Sequence, residues 1–303
     1  MLTTNLVADG GFPIGINRML PQRDTGLHRH DNVELVVVSA GSGRHRVQGG
    51  GWPVCRGDVF VIPPGMIHGY DRCRDLQLSN IGYDPIRLAL PSARLSALPG
   101  FLALVSIEPR LRKEGAFTGH LHLDEPSLAA ALDSIRELND EIEQRQPGWQ
   151  EAAQAILLRL LIRLARGFAA ASSTESQRLL RLSQVEAHIT AHLSHPLPLD
   201  EVARVAGMSR ATLTRAVRAL HGTSLRRRIE ALRLERAREL LAAGDLSITA
   251  IASRCGFADA SYFARRFRRS GSIGPRSYRK AAESAQRTDF PQQGVTVLGS
   301  DGQ

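Results

Sequence analysis

From about Gly11 to Asp84 the chain alternates short β-rich runs, such as Glu34–Val38, Arg44–Val47 and Val59–Ile62, with glycine and proline breaks. That spacing predicts a small antiparallel barrel or sandwich. The period then changes. From Ser127 to Ile142 the apolar residues fall at Leu128, Ala131, Leu132, Ile135, Leu138 and Ile142, and after Pro147-Gly148 they recur at Ala153, Ile156, Leu157, Leu160, Leu161 and Leu164. Both sets have the three-and-four spacing of amphipathic helices and predict an antiparallel hairpin. The leucine-rich second helix suits packing on the barrel or against a second copy of itself, which makes the hairpin a candidate dimerisation element. The run Ala169–Ser176 is small and polar and reads as a linker.

At 303 residues the chain exceeds one ordinary compact core, so two domains are expected. The formal charge of +9 is unevenly placed: residues 178–280 hold 20 Lys+Arg against 8 Asp+Glu, leaving the remainder at −3. A basic segment is either a solvated helical face or an electrostatic footprint for nucleic acid, and motifs must decide between them. Cys55, Cys73 and Cys255 are widely spaced and odd in number, offering neither a disulfide framework nor a CxxC metal site. The N-terminus has no basic start followed by an apolar run. The most apolar stretch, Ala155–Ala165, is broken by Arg159 and Arg163, so neither export nor membrane insertion is expected, and the cytoplasm is.

The basic segment contains an internal repeat. Its first copy runs Glu201-Val202-Ala203-Arg204-Val205-Ala206-Gly207-Met208-Ser209, then Leu213, Arg215 and Val217; its second runs Ala250-Ile251-Ala252-Ser253-Arg254-Cys255-Gly256-Phe257, then Phe263, Arg265 and Phe267. A small residue lets two helices cross closely, a glycine takes the left-handed turn, and the next helix turns apolar residues inward and polar ones outward. This is the pattern of a helix-turn-helix unit, present twice.

The stretch Arg233–Leu241, followed by Ser247–Ala252, Gly256-Phe257, Ser261-Tyr262-Phe263, Arg265, Phe267 and Pro275–Arg279, resembles the AraC/XylS regulators over about residues 196–280. The resemblance implies seven helices, with two reading heads joined by one long helix at about Leu225–Ala243, bound to successive major grooves of double-stranded DNA. Carried over by position, the first reading helix offers Arg210, Ala211, Thr214, Arg215 and Arg218, and the second offers Ala260, Ser261, Ala264, Arg265 and Arg268. Arg215 and Arg265 are expected to read bases, and Arg218 and Arg268 to contact phosphate. Two features depart from the family pattern: Pro198 stands where a capping Ser or Thr is usual, and Ser270–Gly274 is rich in glycine ahead of the closing helix.

In the N-terminal region His28-Arg29-His30, Glu34 and Gly41, then Gly57, Pro63, Gly65 and His68, resemble both halves of the cupin signature. Three imidazoles and a carboxylate can line a polar effector pocket, hold a divalent transition metal, or serve as structural residues at a barrel mouth. No obligatory cofactor is expected; the metal stays open. Residues Ser79–Pro85 and Leu98–Phe101 are similar to the rhamnose-responsive branch of the family, which implies a sugar effector.

The expected architecture is α+β in two domains: a cupin-like effector-binding barrel (1–125) with a helical hairpin (126–170), a linker (171–180), an all-α domain with two helix-turn-helix units (181–282) and a disordered tail (283–303). The expected function is transcription regulation by a homodimer controlled by a small molecule, with RNA polymerase a partner of an activator, and no enzymatic activity. The alternative is a metal-dependent cupin enzyme fused to a DNA-binding domain.

Overall fold

The structure, a computed structural model, describes residues 7, 11–19, 21–113, 120–170, 173–271 and 273–288. By its contacts the chain divides into two compact units, residues 1–191 with 200–222, and residues 192–199 with 223–303.

The first unit opens with an antiparallel sheet of β1 (Ile14–Met19), β2 (Val33–Val47), β3 (Gly50–Cys55), β4 (Asp58–Ile62), β5 (His68–Tyr83) and β6 (Leu121–His122), in the order β1-β5-β2-β4-β6 with β3 beside β2. Two of the predicted runs, Glu34–Val38 and Arg44–Val47, are halves of the single strand β2. It pairs with β5 from Val33↔Tyr83 to Val47↔His68, and register shifts between Val38 and Arg44 bend it. Such bulges increase local twist and let a sheet curl on itself. Along Val33–Val38 every residue is buried because both faces are covered. Val36 and Val38 join Trp52, Phe60, Ile62, Tyr70, Leu76 and Leu78 inside the curl, while Val33, Leu35 and Val37 face a helical layer.

That layer contains α1 (Ser92–Ser96), then α2 (Pro99–Leu102), a π-helical stretch (Ala103–Ile107) and α3 (Glu108–Lys113) in succession, and the hairpin α4 (Glu125–Gln144) and α5 (Trp149–Ala170). Asp124 caps α4 by accepting from the Ser127 N–H, and Arg145 ends it in the left-handed conformation. The leucines of α5, Leu157, Leu160, Leu161 and Leu164, are buried in their own chain, in one core with Leu35, Leu104 and Leu128. Packing on the barrel therefore consumes the apolar stripe that a second copy would otherwise use.

Helix α6 (Thr174–Ala191) begins inside the segment expected to be a linker (171–180). Its polar start conceals a stripe of Leu179, Leu180, Leu182, Val185 and Ile189, buried at helical spacing. Residues 171 and 172 of the expected linker lie outside the described residues. Helices α7 (Leu199–Val205) and α8 (Arg210–His221) follow; Leu220 of α8 belongs to the same core as Leu179 and Leu180. The division between units crosses the segment 181–282, expected to form one domain, at 191/192, 199/200 and 222/223, so that α8 lies in the first unit and α9 in the second.

The second unit comprises α9 (Leu225–Ala243), α10 (Ile248–Arg254), α11 (Ala260–Gly271) and α12 (Pro275–Thr288). Leu234, Ala237 and Leu241 of α9 pack on Ile251, Ala252, Phe263 and Phe267. The long helix has the predicted bounds, and the glycine-rich run does not prevent α12 from forming. The expected disordered tail (283–303) is helical as far as Thr288, and the rest of it lies outside the described residues. Among the described residues, helices α6 to α12 make seven, the number that the resemblance implied.

Candidate functional site

The repeat in the sequence is a repeat of hydrogen bonds. In the first copy Gly207 N–H donates to the Arg204 carbonyl at 3.1 Å and Met208 N–H to the Ala203 carbonyl at 2.9 Å; in the second, Gly256 N–H donates to Ser253 at 2.9 Å and Phe257 N–H to Ala252 at 2.9 Å. Gly207 (φ +59) and Gly256 (φ +77) both take the left-handed turn. Each second helix is capped by a side chain: Ser209 Oγ accepts from the Thr212 N–H at 3.2 Å and Asp259 Oδ2 from the Tyr262 N–H at 2.7 Å. These cap bonds occupy N–H groups that a helix start leaves without internal partners.

The predicted inward residues Leu213, Val217, Phe263 and Phe267 are all buried. Between them, Arg210, Ala211, Thr214, Arg215 and Arg218 of α8 are exposed, as are Ser261, Arg265 and Arg268 of α11, while Ala260 and Ala264 are half-buried. The arginines differ in what holds them. Arg210 is paired with Asp200, Arg215 reaches Thr212 Oγ1 at 3.5 Å, and the Arg265 guanidinium lies over the Tyr262 ring at 5.7 Å from its centroid. An arginine laid over an aromatic ring holds its planar fork in a fixed direction, which suits bidentate contact with a base edge.

The expected effector or metal residues His28, His30, Glu34 and His68 come together in the first unit. His30 Nε2 lies 2.5 Å from Glu34 Oε2, and His68 Nε2 lies 3.6 Å from the same oxygen. The rings of His28 and His68 are 4.4 Å apart, and ligand atoms of His28, His30 and His68 all lie within 4.8 Å of one another. Each Nδ1 faces a backbone carbonyl, that of Gly26 at 3.0 Å, Asn32 at 3.3 Å and Met66 at 3.3 Å respectively. Because a carbonyl only accepts, each Nδ1 carries the proton. For His68 this leaves the lone pair on Nε2, the atom beside Glu34. For His30, burial opposes charge, but the Glu34 carboxylate outweighs it and raises its pKa above the ordinary range. His68 is pushed down to about 4, chiefly by burial and further by the neighbouring imidazoles.

Three more polar residues, His45, Tyr70 and Asn80, face the same interior and carry no motif. His45 on β2 stands directly across from Tyr70 on β5 and from Trp52 on β3. Its ring lies 5.6 Å from that of His68 and 4.9 Å from that of Phe60. Burial holds His45 well below the usual imidazole range, hence neutral, and holds the Tyr70 hydroxyl well above its own, hence protonated. Among the described residues, His45 Nε2, Tyr70 Oη and Asn80 Oδ1 are buried without a hydrogen-bond partner. Such atoms cost about 1–3 kcal/mol each while unpaired. The signal in the sequence was only strand alternation, too weak to distinguish His45 from a surface histidine.

Between barrel and α8 lies α3. Glu108 and Arg112, four residues apart on one face, form a buried ion pair at 3.0 Å; Arg112 also donates to the Val61 carbonyl and lies over the Phe60 ring at 5.1 Å. Arg110, on the opposite face, meets His221 Nδ1 in the last turn of α8 at 3.1 Å. Among the described residues, no helix is long and apolar enough to cross a membrane.

Comparison with known proteins agrees with both halves of this geometry. Residues 13–161 match the AraC-like ligand binding domain, and residues 202–281 match a helix-turn-helix domain. The chain is 30% identical over 280 residues, covering 91% of it and 95% of the relative, to the HTH-type transcriptional activator RhaS of an Enterobacter species. It is 29% identical to the HTH-type transcriptional activator RhaR of Klebsiella pneumoniae, covering 88% of this chain and 91% of that one, and 29% identical to RhaR of Escherichia coli K12, covering 92% and 95%. A two-headed helix-turn-helix segment and a polar-lined barrel, matched together over nine-tenths of a relative's length, place the chain in the AraC family of ligand-controlled, DNA-binding transcription regulators.

Proposed function

We propose that this regulator is a cytoplasmic transcription activator whose effector is a sugar or related carbon source, bound inside the barrel. The observation that carries the reading is the set of buried polar atoms without partners, His45 Nε2, Tyr70 Oη and Asn80 Oδ1, on walls that also hold Trp52 and Phe60. A sugar presents hydroxyls that both donate and accept, together with apolar C–H faces. A neutral imidazole, a phenol, an amide oxygen and aromatic rings match those groups. The named relatives are activators, which extends the reading to contact with RNA polymerase, and the family's architecture extends it to a homodimer.

Control requires that the effector bind two states of the protein unequally. In our reading α3 carries the difference, because its Arg112 lies against Phe60 of the barrel wall and its Arg110 against His221 of the first reading helix. A shift of Phe60 on binding is transmitted to Arg112 and, through the rigid turns of α3, to the end of α8.

The ligand atoms of His28, His30 and His68, gathered beside Glu34, also suit a divalent transition metal, which would polarise an effector's oxygen. One experiment separates the readings: thermal unfolding of the full-length protein with a panel of sugars, with and without a chelator. Ligand at one hundred times its Kd stabilises by about 2.7 kcal/mol. A rise with one sugar that survives chelation supports the polar pocket. A fall on chelation alone, lost in His30→Ala, supports the metal. No shift with any sugar rejects the sugar reading.

A further inference from the structure

A second group of ligating side chains lies at the other end of β4 from Glu34. Ile62, at one end of the strand, pairs with Glu34; Asp58 stands four residues away, about 13 Å along a strand. The Asp58 carboxylate is buried and fully engaged: Oδ2 accepts from the Cys55 N–H at 2.7 Å and lies 2.8 Å from His120 Nε2, and Oδ1 lies 2.8 Å from His122 Nδ1. The Cys55 thiol, exposed at the end of β3 beside the turn into β4, completes the group. Ligand atoms of Cys55, Asp58 and His122 all lie within 4.8 Å of one another. Gly57, between Cys55 and Asp58, has φ +93, and a Cβ there would stand 2.9 Å from His122 Cε1. The turn therefore has no side chain where the His122 ring closes over it.

We propose that Cys55, Asp58 and His122, with His120 beside them, form a second site, for a divalent transition metal of the zinc class. A thiolate, imidazoles and one carboxylate form a mixed borderline-soft donor set, and zinc takes such sets tetrahedrally, whereas magnesium and calcium favour oxygen alone. Around zinc, bond lengths near 2.0–2.3 Å place neighbouring ligand atoms about 3.3–3.5 Å apart. The present 2.8 Å separations are those of hydrogen bonds, in which protons occupy the position of the metal. Exchange of proton for metal moves the ligands outward by about half an ångström. The two residues that must move, Cys55 and His122, are exposed, and Asp58 stays anchored by the Cys55 N–H. On binding, the thiol loses its proton to solvent and the His122 ring takes the tautomer with its proton on Nε2, so occupancy falls with acid. His120 or a water supplies the fourth position.

The location gives the ion a role. Arg56, within the same turn, makes a bidentate pair with Glu125 in the first turn of α4, at 2.9 and 2.7 Å. A metal there clips the β3–β4 turn to β6 at the join between barrel and hairpin, giving the sensor a second input away from its interior.

The test is a Co2+ titration of metal-free, full-length protein, read by absorbance, because a cobalt–thiolate bond produces a near-ultraviolet charge-transfer band that imidazole and carboxylate ligands do not. The expected result is a band saturating at one equivalent, abolished in Cys55→Ser, retained in Cys73→Ser and Cys255→Ser, and requiring at least tenfold more metal in His122→Ala. Metal held by His28, His30 and His68 has no thiolate and adds no such band. In parallel, alkylation of the wild-type thiols is followed by mass spectrometry with and without Zn2+, which requires no variant to fold. Zn2+ protection of Cys55, with Cys73 unaffected, supports the site. No thiolate band in the wild type, a band persisting in Cys55→Ser, or equal alkylation of Cys55 with and without zinc overturns it.

Discussion

The imidazole of His221, in the last turn of the first reading helix, lies with Nε2 2.8 Å from Glu186 Oε1 on α6. Its other nitrogen faces the Arg110 guanidinium. A guanidinium only donates and a carboxylate only accepts, so Nδ1 accepts, Nε2–H donates, and the ring bridges α3 and α6. Both Glu186 and the His221 side chain are largely buried.

Removing Glu186 leaves that bridge half made. Glu186→Ala is expected to destabilise the barrel-containing unit by about 1–3 kcal/mol in denaturant unfolding, the range for leaving a buried donor without its acceptor. In our reading of control, Arg110→Ala leaves DNA affinity without effector nearly unchanged and shrinks the effector-dependent change. A full effector response in Arg110→Ala would remove α3 from the path.

The two turn glycines of the repeat predict unequal costs. A Cβ on Gly207 meets nothing within 4 Å, whereas one on Gly256 would stand 2.1 Å from the Leu193 carbonyl oxygen. Gly207→Ala is therefore expected to cost about 1 kcal/mol, the penalty of the left-handed conformation alone. Gly256→Ala should cost at least twice that, because backbone must move. Equal losses of thermal stability would contradict the difference in packing.

Arg265→Ala should weaken binding to a specific site by about 1–3 kcal/mol and relax preference at one base pair. Arg268→Ala should weaken all sequences alike and reduce the salt dependence of binding by about one phosphate contact. The measurement is affinity across single-base variants of an operator at two salt concentrations. Uniform losses from both substitutions would cancel the base-reading role of Arg265.

Buried His45 stays neutral in the folded protein, whereas in the unfolded chain it gains a proton near its ordinary value of 6.5. Below that pH the unfolded state binds more protons, so stability falls as pH drops from about 6.5. His68 acts in the same direction down to its folded value of about 4. His30, raised by Glu34, acts oppositely: its contribution is complete below 6.5 and is lost as pH rises through its folded value. His45→Phe should flatten the acid side of the stability curve, measured as melting temperature between pH 7.5 and 4.5. An unchanged slope would mean that His45 does not contribute.

Much of this protein was legible locally. The spacing of Ala203, Gly207 and Leu213 and its echo at Ala252, Gly256 and Phe263 specified two helix-turn-helix units, because the crossing, turn and inward face depend on residues within about twenty positions. The periodicity of Leu157, Leu160, Leu161 and Leu164 likewise specified a helix with one buried face. The linker reading of 171–180 failed where a polar helix start hides the apolar stripe of α6.

What the stripe of α5 packs on, and which unit α8 joins, are matters of long-range burial, and hydrophobic attraction carries no address in the sequence. Only the folded chain brought Leu220 to Leu179, His45 to Tyr70, and His122 to Asp58, pairs that no local period relates. The sequence by itself determined the chemistry class, a regulator with DNA-reading helices and a polar-lined barrel, since those depend on short-range pattern. Tertiary structure decided which polar groups share an interior and which helices share a core, since that depends on how apolar faces far apart in the chain bury one another.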